Sequence, residues 1–195
     1  DGDVMSIAQH YSNNGADELL IFDLSDDDAD HEQSLNLIRQ ISRVIDIPMS
    51  GGGHIKNLED VKKLLYAGCQ QVFLNYAKAA NIDLTEEVSK RFGKEKIAIC
   101  TDSFAQLQAN KARVNEYTSR VILLCDEVDV RTTARLVEVP VLPVSTRADR
   151  HGLLKLLMLD NICGVCGDTF SDLNEDLMAA KLEAKKHGVE INTFE

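Results

Sequence analysis

The stretch DVMSIAQHYSNNGADELLIFDL, residues 3–24, decides the fold prediction for this chain. Its first half, Asp3–Asn14, is helix-like and has no strand-like run before it, and the apolar run Leu19–Leu24 follows. Further apolar runs alternate with helical segments along the rest of the chain. Regular strand–helix alternation is typical of parallel strands joined by helical crossovers. We therefore predict an α/β fold, a TIM (β/α)8-type barrel whose first strand is absent from this chain.

The predicted strands are continuous apolar runs, as expected of strands that are buried on both faces of a parallel sheet. They lie at Leu19–Leu24, Ile47–Ser50, Gln71–Asn75, Ile97–Thr101, Val121–Cys125, Val139–Val144 and Ile162–Cys166. Regular spacing favours a barrel, and an open doubly wound sheet is the alternative.

The predicted helices lie between these runs. They are expected at Ser34–Val44, Leu58–Tyr66 and Leu173–His187, with a weaker helical stripe over Ser103–Arg120. Asn57 and Thr85 have the chemistry of helix caps, and Gly188 is placed to end the last helix. No linker or charge block divides the chain, so residues 1–195 are predicted to form a single domain.

Composition narrows the function classes. The chain has 195 residues, of which 44% are hydrophobic, and a net charge of −11. This charge argues against non-specific nucleic-acid binding, which needs Lys and Arg to contact phosphates. No apolar run approaches the roughly 20 residues needed to span a bilayer. With no basic and apolar leader at its start, the chain is expected to be cytoplasmic and to bind no membrane.

The five cysteines are expected to be buried free thiols in a reducing compartment. The pair Cys163 and Cys166 has a metal-like spacing. On a strand, however, residues three apart point to opposite faces, and two ligands do not complete a zinc site. We therefore predict no bound metal and no cofactor.

Two strand-end aspartates are the candidate catalytic residues. In a barrel of this kind, function is located in the loops that follow the strands. Asp23 follows the first run and Asp102 follows the fourth, so both are expected at one shared mouth. Two carboxylates there can act as general acid and base if burial separates their pKa values. The alternative is that they cap neighbouring helices or are simply solvated.

A glycine run follows the second strand and predicts a phosphate site. Glycines let the backbone approach a ligand and turn N–H groups toward an anion, and the helix beginning near Asn57 would add its positive end. Gly52 and Gly53 are therefore candidate phosphate ligands, with a tight turn as the alternative. Asn75 is a candidate substrate ligand, although an Asn at a strand end also commonly ties down its own loop.

Only one histidine, His54, is placed at the predicted mouth. The others lie in helical or helix-start segments and are expected at the surface: His10, His31, His151 and His187. The acidic run Asp26–Asp28 is expected to be a solvated loop rather than a metal site.

A series of short motifs occurs in a fixed order along the first half of the chain. They are Asp17-Glu18-Leu19, Phe22-Asp23, Ile47-Pro48, Gly52-Gly53, Leu58-Glu59-Asp60, Ala67-Gly68 and Asn75. In these motifs the chain resembles the cyclase subunit of imidazole glycerol phosphate synthase, a histidine-biosynthesis (β/α) barrel. The likeness is specific from Asp3 to Asp102 and weaker beyond it.

This resemblance implies an activity and its site. The family closes an imidazole ring on a phosphoribosyl substrate, with ammonia from a glutaminase partner, two strand-end aspartates as acid and base, and two phosphate sites. One family aspartate lies on the first strand, which is missing here, and the other corresponds to Asp102. Asp23 and Asn75 are retained.

The same resemblance shows departures at the phosphate loops. His54 replaces the third glycine of the first loop, and Ser145 and Thr146 replace paired glycines of the second. Ser145 and Thr146 are still candidate phosphate ligands through their hydroxyl groups. Asp168 stands in place of a phosphate-binding serine, and two like charges about 4 Å apart near a surface cost roughly 4 kcal/mol.

Two hypotheses follow. In the first, the chain is a histidine-pathway barrel module that has lost cyclase catalysis and serves as a folding, assembly or weak metabolite-binding unit of a larger enzyme, the metabolite in the last case being a phosphoribosyl compound. It resembles the cyclase-like domain that some bacteria fuse ahead of a bifunctional phosphoribosyl-AMP cyclohydrolase and phosphoribosyl-ATP pyrophosphohydrolase, a hydrolase, and Gly188–Glu195 is similar to the run-out into that following domain. In the second, it is an active cyclase (a lyase) or isomerase whose general acid is Asp102. Two unpaired sheet edges also predict a homodimer, or an edge filled by another segment.

Overall fold

The structure is a computed structural model that describes residues 3–126, 128–167 and 176–193. Its centre is a parallel sheet of seven strands, hydrogen-bonded in the order in which they follow along the chain. The strands are β1 (Leu19–Phe22), β2 (Met49–Gly52), β3 (Gln71–Asn75), β4 (Ile97–Thr101), β5 (Arg120–Leu124), β6 (Val141–Ser145) and β7 (Cys166–Gly167). This alternation with helices confirms the predicted α/β fold of the TIM-barrel type.

Helices precede and follow the strands. They are α1 (Val4–Asn13), α2 (Asp28–Ile41), α3 (Leu58–Tyr66), α4 (Ala79–Phe92), α5 (Phe104–Tyr117), α6 (Val130–Ala134), α7 (Arg150–Leu157) and α8 (Leu177–Lys186). Most begin at a side chain that accepts a hydrogen bond from a free backbone N–H of the first turn, as Asp27 does for α2 and Ser103 for α5. No helix in the described ranges is both long and apolar enough to cross a membrane.

The two faces of the sheet are buried in two different ways. Val72 and Leu74 of β3 point outward into the main core, which also holds the inner faces of the helices. Phe73, between them, points to the other face and packs in a second cluster with Cys100 and Ile122. This alternation is the two-residue period of a strand, and burial on both sides explains why strands such as β3, β4 and β5 appear as nearly continuous apolar runs.

The sheet is curled, as is shown by contacts on its inner face between residues at strands that are not neighbours in the sheet. Glu18 precedes β1 and Arg120 opens β5, which would be about 19 Å apart on a flat sheet. Arg120 nevertheless donates from Nη1 to Glu18 Oε2 at 2.8 Å, and its other guanidinium nitrogens donate to Gln71 at 2.6 Å and to Ser50 at 2.9 Å. These contacts close the amino-terminal end of the half-barrel with a polar layer.

Several predicted boundaries differ from the structure. For example, α2 begins at Asp28 rather than Ser34, and β7 is Cys166–Gly167 rather than Ile162–Cys166. β1 ends at Phe22 rather than Leu24, because the Asp23 side chain accepts the Ser25 N–H at 3.0 Å and turns the chain. β2 continues through the first two glycines of the run that follows Ser50, whose backbones still pair with β1 and β3. The weak stripe after Ser103 is a full helix, α5.

The prediction that Thr85 caps a helix is wrong. Thr85 is fully buried inside α4, which begins at Ala79. Its hydroxyl donates to the Asn81 carbonyl oxygen one turn earlier, at 2.9 Å, so Thr85 is satisfied within the helix. For the last helix, Gly188 has a φ of +82°, which confirms the end, while the predicted start at Leu173 lies outside the described residues.

The thiols are buried at three of the five cysteines, Cys69, Cys100 and Cys125. Burial raises the pKa of both Cys69 and Cys100 to about 12, so these thiols stay protonated at neutral pH. Cys163 is exposed and Cys166 is partly exposed, against the prediction. The reason is that both belong to the last strand region, which pairs only with β6 in the part of the chain that the structure describes.

Helix α8 packs against the segment that precedes β1. Lys181 of α8 donates to Asp17, just before β1, at 2.7 Å, and Met178 of α8 lies against Gly15. Within the described ranges, β1 pairs only with β2. The expected dimer and the single-domain assignment remain predictions.

Candidate functional site

The carboxyl ends of the parallel strands meet at one rim, which we call the mouth. Each predicted site residue in the described ranges lies at or just after a strand end: Asp23, Gly52, Gly53, Asn75, Asp102, Ser145 and Thr146. Asp168 falls outside the described residues. The mouth also exposes apolar side chains, since Phe22 is 37% and Leu124 is 36% exposed.

The Asp23 carboxylate is buried and held by hydrogen bonds. Its side chain is 1% exposed, and Oδ2 lies 2.5 Å from His31 Nδ1. Oδ1 accepts from the Ser25 backbone N–H and from the Ser25 hydroxyl. Burial by itself would raise the pKa of Asp23, but the hydrogen bonds from Ser25 and His31 outweigh it and lower that pKa. Asp23 is therefore a buried carboxylate whose two oxygens are both occupied.

His31 is buried, against the prediction that it lies at the surface. The residue is 2% exposed, because α2 packs it beneath the first strand end. A carboxylate only accepts hydrogen bonds, so Nδ1 carries the proton and donates it to Asp23. His31 Nε2 is buried with no hydrogen-bond partner among the residues that the structure describes. Sequence reasoning missed this pair, because an aspartate eight residues before a histidine is not a spacing that indicates a contact.

His54 stacks on His31 and is held by both ring nitrogens. The two ring centroids are 4.7 Å apart, with 23° between the planes. His54 Nδ1 lies 3.1 Å from the Ser25 carbonyl oxygen, and Nε2 lies 2.8 Å from Asp28 Oδ1. Both oxygens accept, so this geometry suits an imidazolium that donates twice. The hydrogen bond to Asp28 raises the pKa of His54, against the opposing effect of burial.

From the acidic run Asp26–Asp28, the first residue of α2, Asp28, pairs with two cationic groups. Asp28 accepts from His54 and, at 2.6 Å, from Lys56 Nζ. Hydrogen bonds with His54 and Lys56 lower the pKa of Asp28 to about 2. In the described ranges, no group of three or more His, Cys, Asp or Glu side chains could hold a metal ion.

The glycine run packs closely against the neighbouring strands. A Cβ on Gly52 would lie 2.2 Å from the Phe73 ring, and a Cβ on Gly53 would lie 2.0 Å from the Asp23 carbonyl oxygen. Gly53 also has a φ of +104°, which favours glycine. These contacts show that close packing requires glycine at both positions, and the role of Gly52 and Gly53 as phosphate ligands remains a prediction.

The start of α3 is already capped by its own side chains. Asn57 accepts from the N–H groups of Glu59 and Asp60 at 2.8 and 3.3 Å, and Asp60 accepts from the N–H of Asn57 at 3.2 Å. Glu59 and Asp60 also bring two carboxylates to the helix start. The positive end of α3 is therefore used internally, which removes one reason for predicting a phosphate there.

Asn75 ties down its own loop with one side of its amide. Its Oδ1 accepts from the Ala77 N–H at 2.9 Å, and its backbone carbonyl accepts from Asn81 at 3.2 Å. The next residue, Tyr76, is buried, and its hydroxyl lies 2.9 Å from that of Thr85. Asn75 thus behaves as a loop-fixing residue whose amide nitrogen still lies at the rim.

Asp102 differs from Asp23 in its exposure and in its hydrogen bonding. It is exposed at the end of β4 and has no hydrogen bond or ion pair to another described residue. Strands β2 and β3 lie between the two aspartates in the sheet order, and no hydrogen bond joins their side chains among the described contacts. Their action as an acid–base pair remains a prediction.

The turn after β6 is occupied by an aspartate that was not predicted to act there. The Ser145 hydroxyl donates to Asp126 Oδ1 at 2.6 Å. The Thr146 N–H lies 3.1 and 3.0 Å from the two Asp126 oxygens, and the Thr146 hydroxyl also donates to Asp126. Hydrogen bonds from Ser145 and Thr146 lower the pKa of Asp126 to about 2. The sequence contained one signal for this contact: two hydroxyl residues, Ser145 and Thr146, lie at the end of one strand, and an acidic residue, Asp126, follows the neighbouring strand.

A groove of about 580 Å³ lies beside this turn, between α6 and α7. Its charged lining residues are Asp126, Asp129, Arg131, Arg147 and Lys155. Apolar side chains, among them Leu156 and Leu159, line the rest.

Comparison with known proteins agrees with this architecture. Residues 1–160 match the family model described as histidine biosynthesis protein. The chain is 33% identical over 132 residues to the imidazole glycerol phosphate synthase subunit HisF of Haemophilus influenzae, covering 68% of this chain and 49% of that protein. The HisF subunit of Helicobacter hepaticus is 38% identical over 104 residues, covering 52% of this chain and 40% of its own length.

A third similar protein, the HisF subunit of Shigella flexneri, is 29% identical over 162 residues, covering 83% of this chain and 60% of its own length. The chain thus spans about half the length of the curated relatives it matches.

Proposed function

This chain belongs to the histidine biosynthesis protein family and has a HisF-like barrel architecture, and we propose that it is a module of that pathway that binds a phosphoribosyl metabolite without cyclising it. The observation that carries this proposal is the state of Asp23. Acid–base chemistry by two carboxylates needs two groups that reach the substrate. Asp23 is enclosed, ionised and fully hydrogen-bonded, which leaves Asp102 as the exposed candidate.

Binding of one phosphoryl group at the loops after β2 and β3 is the second part of this proposal. The half-exposed Lys56 lies beside the glycine run, together with His54, whose pKa is raised by its hydrogen bond to Asp28. The Asn75 amide nitrogen lies at the same rim. Because Asp28 already neutralises part of this charge, the expected affinity is weak.

Isothermal titration of the complete polypeptide with a phosphoribosyl aminoimidazole carboxamide ligand tests the proposal. Weak binding, with no ammonia-dependent product, is expected. Tight binding coupled to turnover would overturn it. Asp102→Asn serves as the matched variant, because it should leave this binding nearly unchanged if Asp102 performs no chemistry.

A second candidate is an active cyclase, a lyase, or a related isomerase. Asp102 favours it, because an exposed strand-end carboxylate with no described partner is free to act as a general acid. The candidate predicts that Asp102→Asn in the complete protein abolishes cyclisation. It is eliminated if the wild-type protein shows no ammonia-dependent cyclisation.

We also propose that the barrel is joined to a following domain with phosphoribosyl-AMP cyclohydrolase and phosphoribosyl-ATP pyrophosphohydrolase activity. Sequence resemblance alone supports this step. The intact mass of the protein isolated from its own cells tests it, together with assays of both hydrolytic activities on the same purified species. A mass equal to the barrel alone would contradict the fusion.

Self-association is the remaining part. Edge strand β1 carries unpaired backbone groups within the described residues, and such edges pair readily with other strands. Sedimentation equilibrium should show a dimer at micromolar concentration. A well-folded monomer would contradict this prediction.

A further inference from the structure

The turn that follows β6 has the construction of an anion site. The N–H of Thr146 and the hydroxyls of Ser145 and Thr146 converge on the Asp126 carboxylate, from two consecutive residues. The next two N–H groups, of Arg147 and Ala148, donate to the Ser145 hydroxyl oxygen at 3.2 and 2.9 Å. Successive N–H groups turned toward one side form a concavity that suits an anion.

In this turn the anion is supplied by the chain itself. Each of the three N–H groups is engaged by a side chain, either Asp126 or Ser145. A phosphoryl group would therefore have to displace a carboxylate that accepts from both hydroxyls of the turn. It would also meet a like charge if Asp126 stayed in place.

The surroundings of the turn explain why an anion is needed there. The adjoining groove is lined by three cationic side chains, Arg131, Arg147 and Lys155. Among the lining residues that the structure describes, the acidic ones are Asp126 and Asp129. Removing the Asp126 side chain would free the Thr146 N–H and the hydroxyls of Ser145 and Thr146 as donors at the edge of this groove.

We propose that Asp126 determines specificity at the mouth by filling the Ser145–Ala148 turn, so that the ligand class accepted by this chain carries one phosphoryl group and not two. The inference rests on the proposed function in one respect, that the loops after β2 and β3 hold a phosphorylated sugar. It goes further by assigning the second turn to an internal carboxylate.

Titration calorimetry on the complete polypeptide tests this assignment with two probes, ribose 5-phosphate and ribulose 1,5-bisphosphate. The wild-type protein should bind the bisphosphate no more tightly than the monophosphate. Asp126→Ala empties the turn and should tighten bisphosphate binding by at least about tenfold, a difference of about 1.4 kcal/mol. Asp126→Asn, which keeps an acceptor oxygen without the charge, should lie between them.

Asp129→Asn is the matched control, because it removes a groove charge outside the turn and keeps a capping side chain. Its bisphosphate affinity should stay within about twofold of wild type, well inside the tenfold step of about 1.4 kcal/mol. Affinity for ribose 5-phosphate should be unchanged in all variants.

The assignment is overturned by a wild-type protein that already prefers the bisphosphate tenfold. Folded Asp126 variants with no gain in bisphosphate affinity would also overturn it. So would a titration series in which neither sugar phosphate binds to any of the proteins. If Asp126→Ala does not fold, the wild-type comparison and Asp126→Asn decide. Cyclase turnover would contradict the proposed function while leaving the ratio of the two affinities as a separate result.

Discussion

Replacing each strand-end aspartate by asparagine should have very different effects on stability. Asp23→Asn keeps an oxygen for Ser25 but turns an amide donor toward the proton on His31 Nδ1. To relieve this clash, His31 must carry its proton on Nε2, which is buried with no described acceptor. Loss of a charge-assisted hydrogen bond costs about 1.5–3 kcal/mol, and an unmet buried donor about 1–3 kcal/mol. We expect a loss of about 3 kcal/mol.

Asp102→Asn is the internal control for this prediction. Asp102 is exposed and has no described partner, so its replacement should change the free energy of unfolding by less than about 0.5 kcal/mol. Urea denaturation followed by circular dichroism at pH 7 measures both variants. For a chain of this size, about 3 kcal/mol corresponds to a fall in Tm of roughly 6–12 °C. Equal losses for the two variants, or a neutral Asp23→Asn, would refute the reasoning.

The wild-type protein and Asp23→Asn can also be compared as a function of pH. Folding lowers the pKa of Asp23 below its ordinary value of 3.8. Its stabilising contribution is therefore present above that value and is lost as the pH falls through the lower, folded pKa. The stability gap between wild type and Asp23→Asn should narrow in acid, and a gap that widens there would have the wrong sign.

Three further predictions concern other parts of the molecule. Arg120→Met should lower the free energy of unfolding by about 3–5 kcal/mol, because Glu18 is left partly buried without its partner. A double-mutant cycle with Glu18→Gln should show a coupling energy of about 0.5–3 kcal/mol, and additive losses would count against the pair. Folding raises the pKa of His54 above 6.5, so its contribution should be complete below that pH and lost as the pH rises through the folded pKa. An NMR titration should place the pKa of His54 above 6.5, and His54→Gln should remove this pH dependence of the unfolding free energy. Gly53→Ala should cost about 3 kcal/mol or more, because its Cβ would lie 2.0 Å from a carbonyl oxygen just after β1. Gly188→Ala has positive φ but nothing within 4 Å, so about 1–2 kcal/mol is expected in the same denaturation assay; equal costs would contradict this account of the glycine run.

Much of the fold could be predicted because burial leaves a periodic record in the sequence. Strands covered on both faces are apolar throughout, and all seven predicted runs coincide with strand or bridge regions of the sheet. Caps such as Asn57 were also readable, since they act within a few residues. Thr85 was misread because a threonine whose hydroxyl is satisfied by the preceding turn has the same local sequence as a cap.

The chemistry of the mouth could be predicted less well. The positions of Asp23 and Asp102 at strand ends followed from topology, but their opposite environments did not. Asp23 is locked by His31 across a strand-to-helix loop, and Ser145 is bound by Asp126 from the neighbouring strand. Such contacts join residues from different elements at no fixed spacing, so only the folded chain reveals them.

The central proposal is that this mouth does not close an imidazole ring, because Asp23, the predicted catalytic partner of Asp102, is enclosed and hydrogen-bonded. Ammonia-dependent cyclisation of a phosphoribosyl aminoimidazole carboxamide substrate by the complete polypeptide tests it most directly. We predict substrate binding with no product above the rate without protein. Product formation that disappears in the folded Asp102→Asn variant would contradict the claim.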